Sequence, residues 1–334
     1  MSRSNPRRRS LLVGALATAA VLVTGCSSGA GGGGSSGAPV TGLRIMAPAK
    51  PGGGWHQTAQ SLQDVLQRDR LAAPPVQVYN VEGAGGVNGL GQLAGEKDDK
   101  VLMVMGQVMV GGIISANSQR TLKDTTPIAR LLGESLVLVV PESAPFRNLE
   151  QFLSAWRADP KGTVITGGSA GGADQILAGL IADRVGIDPA QLNYVPNSGG
   201  GESIPKLLSG EVKAGISGVG EYKDLIRSGK LRAIAVSGQK RSNLVPDVKT
   251  LTEQGIALSY LNWRGVVARP GLSDSVKQQY IDMIKKMRDS ATWQQILKSN
   301  DWEDSFATGD EFAKFIEQED ITVRKALREI GAVK

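Results

Sequence analysis

The sequence predicts an α/β fold in which helices pack on parallel sheets arranged in two lobes. Three observations carry that prediction. Apolar, strand-like runs repeatedly enter a glycine-rich loop and then an amphipathic helix, the order of a strand-loop-helix unit. Roughly 295 residues follow an N-terminal leader and its tether, in a 334-residue chain that is 41% hydrophobic, which suffices for two cores. Beyond the leader, no stretch approaches the roughly 18 apolar residues of a membrane helix.

Residues 1–25 read as a signal peptide. Arg3, Arg7, Arg8 and Arg9 precede the apolar run Leu11 to Val23, too short to span a bilayer but right for an export signal. Val23-Thr24-Gly25-Cys26 resembles a bacterial lipobox, in which the cysteine is lipidated after cleavage. Cys26 is the only cysteine, so an intramolecular disulfide is excluded, and lipidation accounts for a thiol that export would leave odd. Arg8-Arg9-Ser10-Leu11-Leu12 also resembles a twin-arginine signal, so the leader fits either export route. Residues 26–40 are rich in Gly and Ser and read as a flexible tether with a reach of about 20 Å. The expected location is extracytoplasmic, lipid-anchored to the outer face of the cytoplasmic membrane. Without the four leader arginines, Lys+Arg falls from 38 to 34 against 32 acidic residues, a balance of +2. That balance points to no nucleic-acid partner.

Each element follows in order. "GLRIMAP" is a strand that enters Gly52-Gly53-Gly54 and a helix with Ala59, Leu62, Val65 and Leu66 on one face. "VQVYNV" enters a glycine loop whose helix carries Val87, Leu90 and Leu93. "VLMVMG" is a buried strand running into a loop at Gly106-Gln107, with its methionines as core filling. "TVIT" leads to a helix striped by Ile176, Leu177, Leu180 and Ile181, and "LNYV" to one striped by Ile204, Leu207 and Leu208. That helix ends at Gly210 and a further one at Gly229, where C-terminal caps are expected. From Ser273 onward the apolar spacing predicts helices.

The glycine loops nearly match three enzyme motifs. Gly83-Ala84-Gly85-Gly86-Val87-Asn88 lacks the third glycine of a dinucleotide fingerprint. Gly85, Gly89 and Gly91 give the glycine spacing of short-chain dehydrogenases, but none of the tyrosines heads a Tyr-x-x-x-Lys. No Gly-Lys pair is followed by Ser or Thr, which excludes a phosphate loop. Gly167-Gly168-Ser169-Ala170-Gly171 is a literal G-x-S-x-G, so a serine hydrolase using Ser169 is one reading. Its base would have to be His56, the sole histidine, which precedes the serine instead of following it. The remaining role for glycine loops that feed helices is anion binding. Backbone N–H groups at a helix start and the helix dipole favour a carboxylate or phosphate. Only Lys50 supplies charge near these loops, which suits a carboxylate held by amides of Gly52–Gly54 and Ser169–Gly172.

Six segments in this order, "PAKPGGGWHQTAQSL", "VYNVEGAGGVNGL", "GGSAGGADQILAGLIA", "YVPNSGGGESIPKLLSGEVKAGISG", "GKLRAIAVSGQKRSNLVPDVKTLTEQGI" and "LNWRGVVARPGLSD", resemble the substrate-binding receptors of tripartite tricarboxylate transporters, the family of TctC and the Bug proteins. The resemblance runs from about Gly42 to the C-terminus. It implies a two-lobe periplasmic-binding-protein fold of type II, a Venus flytrap, with a first lobe over residues 41–137, a second over 138–262 and a return over 263–334. It also implies a monomer without cofactor, metal or enzymatic activity. The monomer captures a small, citrate-like di- or tricarboxylate and delivers it to a two-component membrane permease. Carried over by motif, the first-lobe site is Pro51, Gly52, Gly53, Gly54, Trp55 and His56 with Gly85, Gly86, Gly106 and Gln107. The second-lobe site is Ser169, Gly171, Gly172 and Asp174 with Asn197, Ser198, Gly199 and Ser217. Two positions depart from the family pattern. His56 stands where an aspartate is usual, either as a helix cap or as a titratable donor, and Asn197 follows Val-Pro where a tyrosine is common. A receptor that reports its ligand to a two-component sensor kinase is an alternative reading.

Overall fold

The structure, a computed structural model, describes residues 39–333; the leader, Cys26 and nearly all of the tether lie outside them. The first part contains β1 (Val40–Thr41), β2 (Arg44–Ala47), α1 (Gly54–Arg68), β3 (Ala72–Ala73), β4 (Gln77–Asn80), α2 (Val87–Ala94), β5 (Val101–Gly106) and α3 (Gln107–Ser115). The long strand β6 (Thr126–Pro141) then leads to α4 (Leu149–Ala158), β7 (Val164–Thr166), α5 (Ala173–Arg184), β8 (Asn193–Val195), α6 (Gly200–Ser209), β9 (Ala214–Gly218), α7 (Val219–Arg227) and β10 (Leu231–Val236). The chain returns through β11 (Leu261–Ala268) to α8 (Asp274–Asp289), α9 (Ala291–Asn300), β12 (Trp302–Thr308) and α10 (Gly309–Glu329).

The main sheet runs β4-β2-β5-β11-β6-β9-β7-β8. Both ends are parallel, as the strand-loop-helix repeat predicts. The middle is antiparallel. β6 pairs along its first half with β11, from Thr126 opposite Ala268 to Ser135 opposite Leu261, and with β12 on its other edge. Its second half pairs with β9 and β10. One strand therefore belongs to both halves of the molecule, and it is buried almost throughout because both its faces are covered.

The core divides accordingly. One cluster draws on strands and helices before Gly133 and after Asn262, joined by Ile176. Two others draw on residues between Leu136 and Leu258. Trp263 binds the returning strand to the last helix: its ring packs edge-on against Phe315 of α10 at 5.0 Å, and Nε1 donates to Glu319 of the same helix at 2.6 Å. No helix among the described residues is long and apolar enough to cross a membrane.

Three details differ from the sequence expectations. β5 passes directly into α3 with Gly106 as N-cap, so no loop follows it. Leu208 is 45% exposed, leaving Leu207 as the buried residue of that pair. The C-terminal region is interrupted by β12, which β6 recruits as an edge partner despite its polar "WEDSFAT" sequence.

Candidate functional site

In the first half, α1 starts at Gly53, an extended N-cap with φ −74° and no side-chain capping bond. The first-turn N–H groups at Gly54, Trp55 and His56 therefore lie beyond the reach of intrahelical acceptors. Trp55 is buried, and its ring covers the next loop: a Cβ added at Gly86 would sit 2.7 Å from it. With φ at +93°, Gly86 is held to glycine by both backbone and neighbour.

In the second half, hydrogen bonds set the loop after β7. Gly168 N–H donates to Asp174 Oδ2 at 2.6 Å, while the Gly168 carbonyl accepts from Tyr194 Oη at 3.0 Å and Asn197 N at 3.1 Å. The Asn197 amide donates to Thr166 Oγ1 and to the Gly167 carbonyl and accepts from the Lys206 ammonium. It is thus a brace between loops. Burial pushes Asp174 up to about 8, with the charges of Glu221 and Glu134 adding to the shift and the Gly168 N–H and Arg264 opposing it. At neutral pH its carboxyl is protonated.

These loops enclose a cavity of about 690 Å³, roofed from both halves. Across its mouth Lys50, from the first half, pairs with Glu202 of α6. Their hydrogen bond holds the Glu202 carboxyl below and the Lys50 ammonium above the ordinary range. The floor is the central sheet. There Arg264 of β11 forms a fully buried ion pair with Glu134 of β6 and donates to Thr58 Oγ1 at 3.1 Å. Trp302 Nε1 donates to the other Glu134 oxygen at 3.4 Å.

Five helices begin at this cavity. Gly53, Gly86, Gly199 and Gly218, the N-caps of α1, α2, α6 and α7, line it, as do Ala173 and Asp174 in the first turn of α5. None of the five has a side-chain bond from its N-cap residue. At α6 the Gly201 N–H is met instead by Glu221 of α7, at 3.2 Å. Such a ring of helix starts is suited to an anion. The opposing catalytic arrangement is not formed. Ser169 lines the cavity, but no hydrogen bond joins it to His56, whose Nδ1 is buried without a partner.

The family pattern of TctC, the tripartite tricarboxylate transporter family receptor, matches residues 59–332. The chain belongs to this receptor family. Protein BugT of Bordetella pertussis is 29% identical over 244 residues, covering 71% of this chain and 73% of BugT. MatC of Rhodopseudomonas palustris, solved with bound malate, is 20% identical, with a TM-score of 0.74 over 86% of this chain and 99% of that one. The periplasmic binding protein BugD is also 20% identical, with a TM-score of 0.76 over 89% of this chain and 99% of BugD. The fold is the two-lobe architecture of these periplasmic binding proteins, and the chain is a solute-binding receptor of the TctC family.

Of the residues that the sequence assigns to the receptor's site, Gly53, Gly54, Trp55, Gly85, Gly86, Ser169, Asp174, Asn197, Ser198, Gly199 and Ser217 line the cavity. Pro51, Gly52, His56, Gly106, Gln107, Gly171 and Gly172 are not on its wall. Pro51 and Gly52 are exposed. Gly106 backs onto the Trp263 carbonyl, where an added Cβ would come within 2.3 Å and disturb the β5–β11 pairing. Gly171, at φ +71°, lies against Ser115 and Gly111 of α3 and is a contact between lobes. No side-chain bond from the N-cap residue closes the start of α1, and His56 lies off the cavity wall. Several expected anion donors are also engaged inside their own loops: Gly53 N–H with the Lys50 carbonyl, Gly171 with Gln175 and Gly172 with the Ser169 carbonyl. Lys206, Glu221, Asn262 and Arg264 line the cavity without having been expected to. For the last two a signal existed, since Asn262 and Arg264 are alternate polar residues in the otherwise apolar strand "LNWRGVVA".

Proposed function

We propose that the receptor is a non-enzymatic, extracytoplasmic protein that captures a small di- or tricarboxylate, citrate-like in kind, and passes it to the two-component permease of a tripartite transporter. The observation that carries this reading is the convergence of five glycine-started helices on one cavity. Malate bound to MatC, which shares the fold, supports a carboxylate of this size. Asp174, protonated at neutral pH, adds no negative charge against such a ligand. The lobe limits, residues 41–137, 138–262 and 263–334, fall inside β6 and β11, which makes those two strands the proposed hinge. Anchoring through a lipid on Cys26 would hold the monomer near its permease.

Thermal denaturation of the mature protein against a panel of citrate, malate and other di- and tricarboxylates tests this. A ligand bound only by the native state raises the melting temperature. No shift with any member at millimolar concentration would dismiss the carboxylate reading. Solution scattering at saturating ligand should show a smaller radius of gyration with unchanged secondary structure.

A further inference from the structure

The cavity floor holds two side chains whose hydrogen-bonding capacity the protein does not fill. Asn262 and Arg264 are two residues apart on β11, so both project from the same face of the strand, and both line the cavity. The register sets Asn262 opposite Glu134, which reaches diagonally to Arg264. Arg264 is only 2% exposed, and a guanidinium carries five N–H donors. Its acceptors among the described residues are Glu134 and Thr58, which leaves donors of the fork without a protein partner. Asn262 is 7% exposed, and its Oδ1 is buried with no donor. Buried polar atoms without partners are costly and uncommon in native proteins.

The two side chains occupy successive same-face positions of one strand, and their vacancies are of opposite kind. Arg264 offers N–H groups to an acceptor, whereas Asn262 Oδ1 needs a donor. A bare carboxylate answers the first and brings only lone pairs to the second. A carboxylate with a hydroxyl on the neighbouring carbon answers both. We propose that Arg264 and Asn262 form a specificity floor that selects 2-hydroxycarboxylates among small carboxylates, the carboxylate on Arg264 and the hydroxyl donating to Asn262 Oδ1. Glu134 fixes the guanidinium by holding one side of its fork, and the Trp302 ring lies 5.6 Å from Arg264 Cζ beneath it. This inference rests on the carboxylate reading above and narrows it to a chemical class.

Calorimetric titration of the mature protein with matched pairs tests the assignment: malate against succinate, and citrate against tricarballylate, with aspartate as a third arm. The hydroxylated member that fits the cavity should bind about tenfold tighter than its partner, the worth of one hydrogen bond to a buried acceptor. Asn262→Leu should bring the pair to within about twofold, chiefly by weakening the hydroxylated ligand. Arg264→Lys should weaken both members together. Circular dichroism checks the fold of each variant, and the pair selectivity of the unmodified protein decides the question even where a variant does not fold. Equal affinities within a pair, or a preference for succinate, would overturn the floor while leaving the carboxylate reading intact. Aspartate bound more tightly than malate would give the acceptor to an ammonium and overturn the hydroxyl assignment. Binding of no carboxylate at all would overturn both.

Discussion

α4, α8 and α9 begin away from the cavity, at Asn148, Ser273 and Ser290, and in each the side chain accepts a first-turn N–H. α1, α2, α5, α6 and α7 begin at the cavity on glycines that provide no such bond. Among the described helices, α3, at Gly106, and α10, at Thr308, start off the cavity wall without a side-chain capping bond. Capping is worth about 1 kcal/mol per helix and is readily supplied by Ser, Asn or Asp. The difference between the two sets therefore reads as work divided between stability and binding: where a ligand can serve as the cap, the chain provides none.

The largest expected effect comes from giving an inner helix an outer-type cap. Gly53 is the place to do so, because its backbone is extended and an added Cβ meets only the Lys50 carbonyl at 3.5 Å and Ala49 Cβ at 3.9 Å. Gly53→Asp should leave the unliganded protein as stable as before or a few tenths of a kcal/mol better. It also sets a negative charge where the anion is expected, and a like charge roughly 4 Å away costs on the order of 4 kcal/mol at intermediate polarity. Carboxylate affinity should fall at least about a hundredfold in calorimetry, with no loss of melting temperature. Unchanged affinity would remove α1 from the site.

Asp174 gives the next effect, through pH. Its folded state holds a proton up to about pH 8 that an ordinary carboxyl releases near 3.8. The unfolded chain thus binds fewer protons in that window, and the contribution of this group to stability declines as pH rises from about 4 to 8, by about 1.4 kcal/mol per unit. An anionic ligand favours the protonated form, so affinity should be flat from about pH 5.5 to 7 and fall above 8. Asp174→Asn, which keeps an acceptor for Gly168 N–H, should flatten both profiles. A wild-type affinity that rises above pH 8 would contradict the assigned protonation.

What sequence made legible follows the same division. The strand-loop-helix units were readable because their signal is local: Ala59, Leu62, Val65 and Leu66 share one helix face and are all buried. The glycine loops were readable for the same reason, as were those of their residues that reach the cavity. The floor was not. Glu134, Asn262 and Arg264 meet only through the antiparallel register of β6 and β11, and a period of two in either strand says nothing about its partner. β12 escaped because its sequence is polar and its strand state is imposed by the free edge of β6. Loop amides such as Gly171 N–H looked available because the glycines were visible while Gln175, four residues on, was not recognised as their acceptor.

The outer caps supply the control. Ser273 Oγ accepts from Val276 N–H and Ser290 Oγ from Trp293 N–H. Ser273→Ala and Ser290→Ala should each lower the unfolding free energy by about 1 kcal/mol in denaturant titrations and leave carboxylate affinity unchanged. A change in affinity in either variant would show that the two sets of helix starts are not separate in function.

The smallest effect is expected at Lys50, where the division between binding and stability meets solvent. Its pair with Glu202 is the ionic contact across the cavity mouth, yet both side chains are nearly half exposed, at 45% and 40%. An exposed pair is screened by salt and competes with water for both partners. Lys50→Met should therefore change ligand affinity by less than about fivefold at physiological salt, with the difference vanishing near 1 M salt. Glu202 should keep its place in the variant, because its second oxygen accepts Ser198 N–H at 2.8 Å. The effect should appear mainly as faster ligand release in stopped-flow measurements, since the mouth would open without an ionic contact to break. A loss comparable to that of Gly53→Asp, persisting at high salt, would make Lys50 a direct ligand contact and move the anion from the helix starts toward the mouth.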